Sequence, residues 1–428
     1  MAVTRPLPLY PTYEELCELS YQLTHNELKT NLPLDDYPQV AKFLTNDKSE
    51  PWWQTHWLWG FHFLLYTGRN KSIHTYDRFR IDIERFLLWC FLEKKMPLDD
   101  LRKNDILEFA DFCWQPSVNW ISNANQHRYF LEHGYFKIND HWRPYKIQAP
   151  KNQSSLNIDK KKYRPSQQTL TSTFTAIIVF YNYLMSEEIC YGNPAQIAKK
   201  DCRHFIRDAQ VKEVKRLTSL QWQFVLDTAV ERADEDSTFE RTLFVIAALK
   251  TLFLRISELS DRETWSPIMG HFWQDEDDNW WLKVYGKGRK LRDITVPSDF
   301  LPFLTRYRLT RGLSPLPLRG ENSVLVEKIR GQGGMTTRHL RRLVQTIFNE
   351  AFIRMKHAHG EEKALKLQQA STHWLRHTGA SMEVERGRAL KDLSEDLGHA
   401  SMATTDTVYV QTENKKRAES GKQRKVDK

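Results

Sequence analysis

Residues 280–296 read Trp-Trp-Leu-Lys-Val-Tyr-Gly-Lys-Gly-Arg-Lys-Leu-Arg-Asp-Ile-Thr-Val. Aromatic and β-branched residues lie on both sides of Gly286-Lys287-Gly288. This pattern predicts a strand over Trp280–Tyr285, a tight turn, and a returning strand over Leu291–Val296. It is the one clear hairpin in a chain whose other apolar residues recur at steps of three and four. Tyr76, Phe79, Ile83, Phe86, Leu87 and Cys90 mark a helix with a wide apolar face, and Leu101, Ile106, Phe109 and Phe112 mark another. Further helical stretches run over Leu170–Met185, Phe300–Tyr307, Thr337–Phe352, His373–Val384 and Leu390–Leu397. Ser219 is placed as the cap of a helix carrying Trp222, Val225 and Leu226. The fold class that follows is mainly α with a small antiparallel sheet (α+β).

Length and composition bound the rest. The 428 residues exceed one ordinary core and point to two domains, with three as the alternative. A net charge of +9 points to a polyanionic partner. Residues 115–168 interrupt the helical rhythm with Asn, Gln, Ser and Pro and with nine Lys or Arg against three acidic residues. They read as a long basic loop or insertion. The five cysteines include no C-x-x-C pair, which fits a reducing, cytosol-like compartment and argues against a cysteine zinc site. Neither a signal peptide nor a membrane-spanning apolar stretch is apparent. No P-loop pattern points to a nucleotide.

Five motifs then follow in order: Leu254-Arg255-Ile256-Ser257-Glu258-Leu259, Gly286-Lys287-Gly288, His373-Trp374-Leu375-Arg376-His377-Thr378, Leu397-Gly398-His399, and Tyr409. Each has an ordinary structural reading alone: a helix ion pair, a hairpin turn, a helix face, a helix end capped by Gly398, and a packed aromatic. Together they form the tools of phosphoryl transfer. Guanidinium forks match the nonbridging oxygens of a phosphodiester. Nearby cations favour a phenolate over a phenol whose ordinary pKa is about 10. A lysine on a hairpin can protonate a leaving sugar oxygen, and histidines can bind phosphate or move protons.

This ordered set resembles the tyrosine recombinases, or phage integrase family, over about residues 217–412. The resemblance implies that Arg255 and Arg376 bind the scissile phosphate and that Lys287 is the general acid for the 5′-oxygen. His373 and His399 would support proton transfer, Tyr409 would form a 3′-phosphotyrosyl bond, and Glu258 would orient the arginine. Neither metal nor cofactor is implied. The resemblance divides the chain into an N-terminal extension (1–45), a helical DNA core-binding domain (46–200) with the basic insertion at about 115–168, a linker (201–216), a catalytic domain (217–412) and a basic tail (413–428). It implies double-stranded DNA as partner, a homo-tetramer in a synaptic complex, and a cytoplasmic location, with the nucleoid as the site in a bacterium. One departure stands out. His399 and Tyr409 are ten positions apart, one more than in many members. A type IB topoisomerase-like strand transferase and a non-catalytic DNA-binding relative remain open as alternatives.

Overall fold

The structure is a computed structural model that describes residues 5–25, 34–148, 158–205, 215–286, 290–398 and 420–422. The chain forms two compact units, 1–209 and 210–428.

The first unit is built on helices α1 (Tyr13–His25), α2 (Pro38–Thr45), α3 (Trp52–Asn70), α4 (Ile73–Trp89), α5 (Lys103–Trp114), α6 (Gln167–Ser186) and α7 (Pro194–Asp201). Its core is strongly aromatic. Trp57, Phe61, Phe63, Phe86 and Tyr181 are all fully buried. Residues 1–45, expected as an extension, contribute to this core through Tyr10, Leu16, Leu19, Val40 and Leu44. The Tyr10 hydroxyl donates to the Trp57 carbonyl at 2.8 Å, and the Trp57 indole donates to the Leu9 carbonyl at 3.1 Å. The buried Glu84 carboxylate accepts the Leu9 amide at 2.6 Å and also meets Arg128.

The expectation of a long loop over 115–168 requires correction. Between α5 and α6 the chain forms four short strands: β1 (Ile121–Ser122), β2 (Tyr129–Glu132), β3 (Tyr135–Ile138) and β4 (Tyr145–Lys146). The β2–β3 hairpin turns on His133 and Gly134, with φ of 51° and 85°, which suits a two-residue loop. β1 pairs parallel with β4. Trp120, Ile121, Ile138, Trp142 and Tyr145 are buried in the unit's core. Composition suggested a solvated segment because its polar residues outnumber these scattered anchors. Three of these five anchors are aromatic, however, and each of those buries a large area.

The second unit contains α8 (Ser219–Glu235), α9 (Glu240–Thr251), the single turn α10 (Ile256–Leu259), β5 (Phe272–Gln274), β6 (Trp280–Tyr285), β7 (Leu291–Thr295), α11 (Leu301–Thr310), α12 (Thr337–His359), α13 (Glu361–Gln369), α14 (Thr372–Glu385) and α15 (Leu390–Leu397). The cap of α8 is Thr218, one residue before the expected Ser219. Its side chain accepts the Gln221 amide, and the Gln221 side chain reaches back to the Thr218 amide. The three strands form an antiparallel sheet in the order β5-β6-β7. The hairpin read from residues 280–296 is therefore present, with Tyr285 opposite Leu291.

Helix α9 lies at the centre of this unit. Residues Leu243–Leu249 are buried on every side, as expected for a helix surrounded by α8, α11 and α14. α14 crosses α9 at Gly379, where a Cβ would stand 1.9 Å from the Lys250 carbonyl oxygen. Only glycine permits that approach. Thr378, beside it, accepts the Leu217 amide at 2.9 Å and so ties the start of the unit to α14. Gly379→Ala is expected to force the two helices apart and lower the stability of this unit by about 1–3 kcal/mol, read from chemical denaturation of the full chain. An unchanged denaturation midpoint would show that the crossing tolerates a methyl group.

Candidate active site

The site is assembled where three chain segments end. Helix α9 ends at Thr251 with Leu252 as its C-cap, and the next residue, Phe253, adopts φ of 48°. That left-handed position after a helix usually falls to glycine. A phenylalanine is held there because its ring is an anchor, packed with Ala380, Val384, Leu393 and Leu397. The turn aims the Phe253 carbonyl at Arg376 and starts α10 at Arg255 two residues later.

Arg255 occupies the N-cap position of α10. Its amide donates to Glu258 Oε2 at 2.8 Å, and its guanidinium donates to Glu258 Oε1 at 3.1 Å and the Gly398 carbonyl at 3.4 Å. The Arg-x-x-Glu spacing is thus a cap in which the carboxylate satisfies an orphan amide and also orients the arginine. Glu258 is only 1% exposed. It also holds a second arginine, Arg292 on β7, through two parallel bonds of 2.8 and 3.0 Å. Burial by itself would raise the carboxyl pKa. The bonds and charge of Arg292, the Arg255 amide and the charge of Arg376 outweigh that and hold it below the ordinary glutamate value.

Arg376 projects from α14 and is 2% exposed. It donates to the carbonyls of Phe253 and Leu397. Burial first, then the neighbouring Arg255, lowers its pKa to about 9, so it remains charged at pH 7. His373, one turn earlier, packs edge-on against His377 with ring centres 4.3 Å apart. Desolvation, then the charges of Arg376 and Arg255, lowers the pKa of His373 and favours neutral imidazole at pH 7.

α15 supplies the third wall. It ends at Gly398 with φ of 58° and ψ of 50°, the glycine cap expected from Leu-Gly-His. A Cβ on Gly398 would come within 2.8 Å of the Arg292 side chain. Arg292 also donates to the Asp396 carbonyl at 3.1 Å. The Asp396 carboxylate accepts from the Thr295 amide at 3.1 Å and hydroxyl at 2.6 Å, and it pairs with Arg388. β7 and α15 are therefore locked together beside the arginines.

Of the expected residues, Arg255, Glu258, His373 and Arg376 are brought to one place. Lys287, His399 and Tyr409 lie outside the described residues. Arg292, Asp396 and Arg388 were not anticipated from the sequence. A signal for Arg292 did exist. On a strand it shares a face with Ile294 and Val296, which are buried, so it is a cation on an apolar face. Three guanidiniums, Arg255, Arg292 and Arg376, surround one carboxylate, Glu258, and leave two positive charges in excess. Such an excess suits an anion with several acceptor oxygens.

Residues 215–416 match the phage integrase family. Over that stretch the chain carries a phage integrase family domain. A tyrosine recombinase XerC from Thermodesulfovibrio yellowstonii is 28% identical over 247 residues, covering 56% of this chain and 70% of the relative. A tyrosine recombinase XerC from Rickettsia typhi is 33% identical over 131 residues, covering 31% of this chain and 37% of the relative. Among solved structures, the XerH site-specific recombinase bound to palindromic difH substrate aligns with a TM-score of 0.53 at 15% identity, over 97% of this chain and 98% of that one. The Tn1549 transposon integrase in complex with circular intermediate DNA aligns with a TM-score of 0.50 at 17% identity, over 82% and 94%. At these identities the structural likeness concerns the fold.

The Glu258 network carries a pH signature. A depressed folded pKa contributes stability that is present above the unfolded glutamate value of about 4.3 and is lost as pH falls through the folded value. Glu258→Gln should therefore be less stable than the parent at pH 7. The gap should close as pH falls below about 4, measured by denaturation across pH. A gap independent of pH would show that the carboxylate charge contributes nothing.

Proposed function

We propose that this tyrosine recombinase cleaves and rejoins double-stranded DNA through a 3′-phosphotyrosyl intermediate on Tyr409. The observation that carries the reading is the convergence of Arg255, Arg376 and His373 beside the Glu258–Arg292 pair, with positive charge in excess. Arg255 and Arg376 bind the nonbridging oxygens of the scissile phosphate. They are held by backbone carbonyls and a buried carboxylate before substrate arrives, so little reorganisation is needed as charge builds up.

The Tyr409 oxygen attacks phosphorus and loses its proton, while the bond from phosphorus to the 5′-oxygen breaks. Lys287 delivers a proton to that oxygen, leaving a free 5′-hydroxyl. His373 and His399 support the phosphate and the proton transfers. Attack by a 5′-hydroxyl on the phosphotyrosine reverses the step and reseals a strand, so bond energy is conserved. In recombination the attacking hydroxyl comes from a partner strand, in a synapse of four protomers. The charges needed for this chemistry come from the side chains themselves.

A suicide substrate, nicked so that the cleaved 5′ fragment diffuses away, should trap a covalent protein–DNA adduct. Tyr409→Phe should abolish the adduct. Arg255→Ala and Arg376→Ala should each slow its formation by about a hundredfold or more. Adduct formation by Tyr409→Phe would remove the nucleophile assignment. DNA binding without any adduct would favour a non-catalytic relative. A 5′-phosphorothiolate substrate, whose leaving sulfur needs no proton, should rescue Lys287→Ala. Without rescue the acid lies elsewhere, with Lys290 the nearest alternative.

A further inference from the structure

The insertion between α5 and α6 contains a preformed basic recess. Ser122, Asn123, Gln126, His141, Arg143 and Lys160 line a cavity of about 230 Å³. Among the described residues no carboxylate is in the lining. The two nearest in sequence are already engaged. Asp140 pairs with Arg5, and Asp159 caps the short turn Lys160–Lys162 by accepting the Lys161 amide at 3.0 Å.

The walls are fixed from behind. Ser122 pairs with Lys146 in the β1–β4 register, and the Ile147 amide donates to the Ser122 carbonyl at 3.0 Å. Asn123 donates to the Ile158 carbonyl at 3.0 Å, which tethers the two ends of the insertion. The Arg143 guanidinium donates to the carbonyls of Asp140 and Trp142 at 2.9 and 2.6 Å. The next carbonyl, Pro144, accepts two bonds from Arg85 on α4 at 2.8 and 2.6 Å. The recess is thus part of the folded unit. Burial first, then the charge of Arg5, lowers the pKa of Arg143, a strain that a bound anion would relieve.

We propose that this recess seats a backbone phosphate of duplex DNA, making the insertion a DNA-contacting element of the first unit. The proposal rests on the reading of DNA as substrate and adds a contact surface to it. The cavity has room for one phosphate group. The Arg143 guanidinium, the Lys160 ammonium and the Gln126 side-chain amide in the lining match the donors that proteins direct at phosphate oxygens. The surroundings favour a polymer over a single small anion. Lys146, Lys161 and Lys162 are all exposed and adjoin lining residues in the ladder or in the chain. Several exposed cations beside one pocket suit a charged backbone, which carries further phosphates on either side of the one bound.

The test uses the full chain and a random-sequence duplex. Affinity is measured against salt for the parent and for a Lys160→Ala/His141→Gln double variant. Among the described residues neither substituted side chain makes a hydrogen bond that braces the walls, and matched circular dichroism and melting temperature establish folding. Losing one phosphate contact should weaken binding and make the log–log salt slope shallower by about 0.9. Arg143→Lys, which keeps the charge but not the guanidinium fork, should weaken binding less than Arg143→Ala. If the parent binds DNA with a steep salt slope and the folded double variant matches it, the recess assignment is overturned while the DNA reading stands. If the parent itself shows no salt-dependent DNA binding, both fail. A variant that loses binding of inorganic phosphate, followed by phosphorus NMR, but keeps the parental DNA slope would mark a free-anion site and overturn the DNA assignment.

Discussion

The second unit of the molecule depends on one buried carboxylate. Glu258 accepts from the backbone and guanidinium of Arg255 on one side and from both arms of Arg292 on the other. A carboxylate 1% exposed is tolerated only when its lone pairs are filled, and here two arginines and an amide fill them. Removing one partner would leave a buried charge exposed to no solvent, at a cost of about 3–5 kcal/mol. The same pair joins the turn after α9 to β7. Through Arg292 and Asp396, β7 is joined in turn to the end of α15.

This arrangement explains why several small or strained residues occur together. Gly379 lets α14 reach α9, Gly398 leaves room for Arg292, and Gly286 does the same, since a Cβ there would lie 2.7 Å from an Arg292 nitrogen. Phe253 stands in a left-handed conformation, a cost of about 1–3 kcal/mol offset by burial of its ring among α14 and α15. These features have a common result. Backbone carbonyls of residues 253, 397 and 398 face the guanidiniums of Arg255 and Arg376 and fix their direction without neutralising them. The guanidiniums are therefore held in fixed directions.

The first unit shows a similar use of buried charge. Glu84 gathers Leu9, Tyr10 and Arg128, so the N-terminal segment and the insertion both close on α4. Arg85, the next residue on that helix, holds the Pro144 carbonyl. A segment that reads as polar and irregular is thereby given one conformation.

The sequence by itself determined which chemistry-bearing residues exist and in what order, because the motifs are local. Arg255 and Glu258 lie within one turn, His373 and Arg376 lie on one helix face, and Gly398 ends a helix. Local spacing also determined the hairpin over residues 280–296 and most helices, since amphipathic periodicity reflects which face will be buried. Only the tertiary structure decided that Arg255, Arg376 and His373 share one place, because more than a hundred residues separate the first from the others. The cation on the apolar face of β7 was legible, but only the tertiary structure showed that Arg292 and Asp396 link β7 to α15, since hydrogen bonds between segments about a hundred residues apart leave no local pattern. It also decided that residues 118–148 fold, because a few buried anchors held by bonds from distant helices outweigh a polar composition.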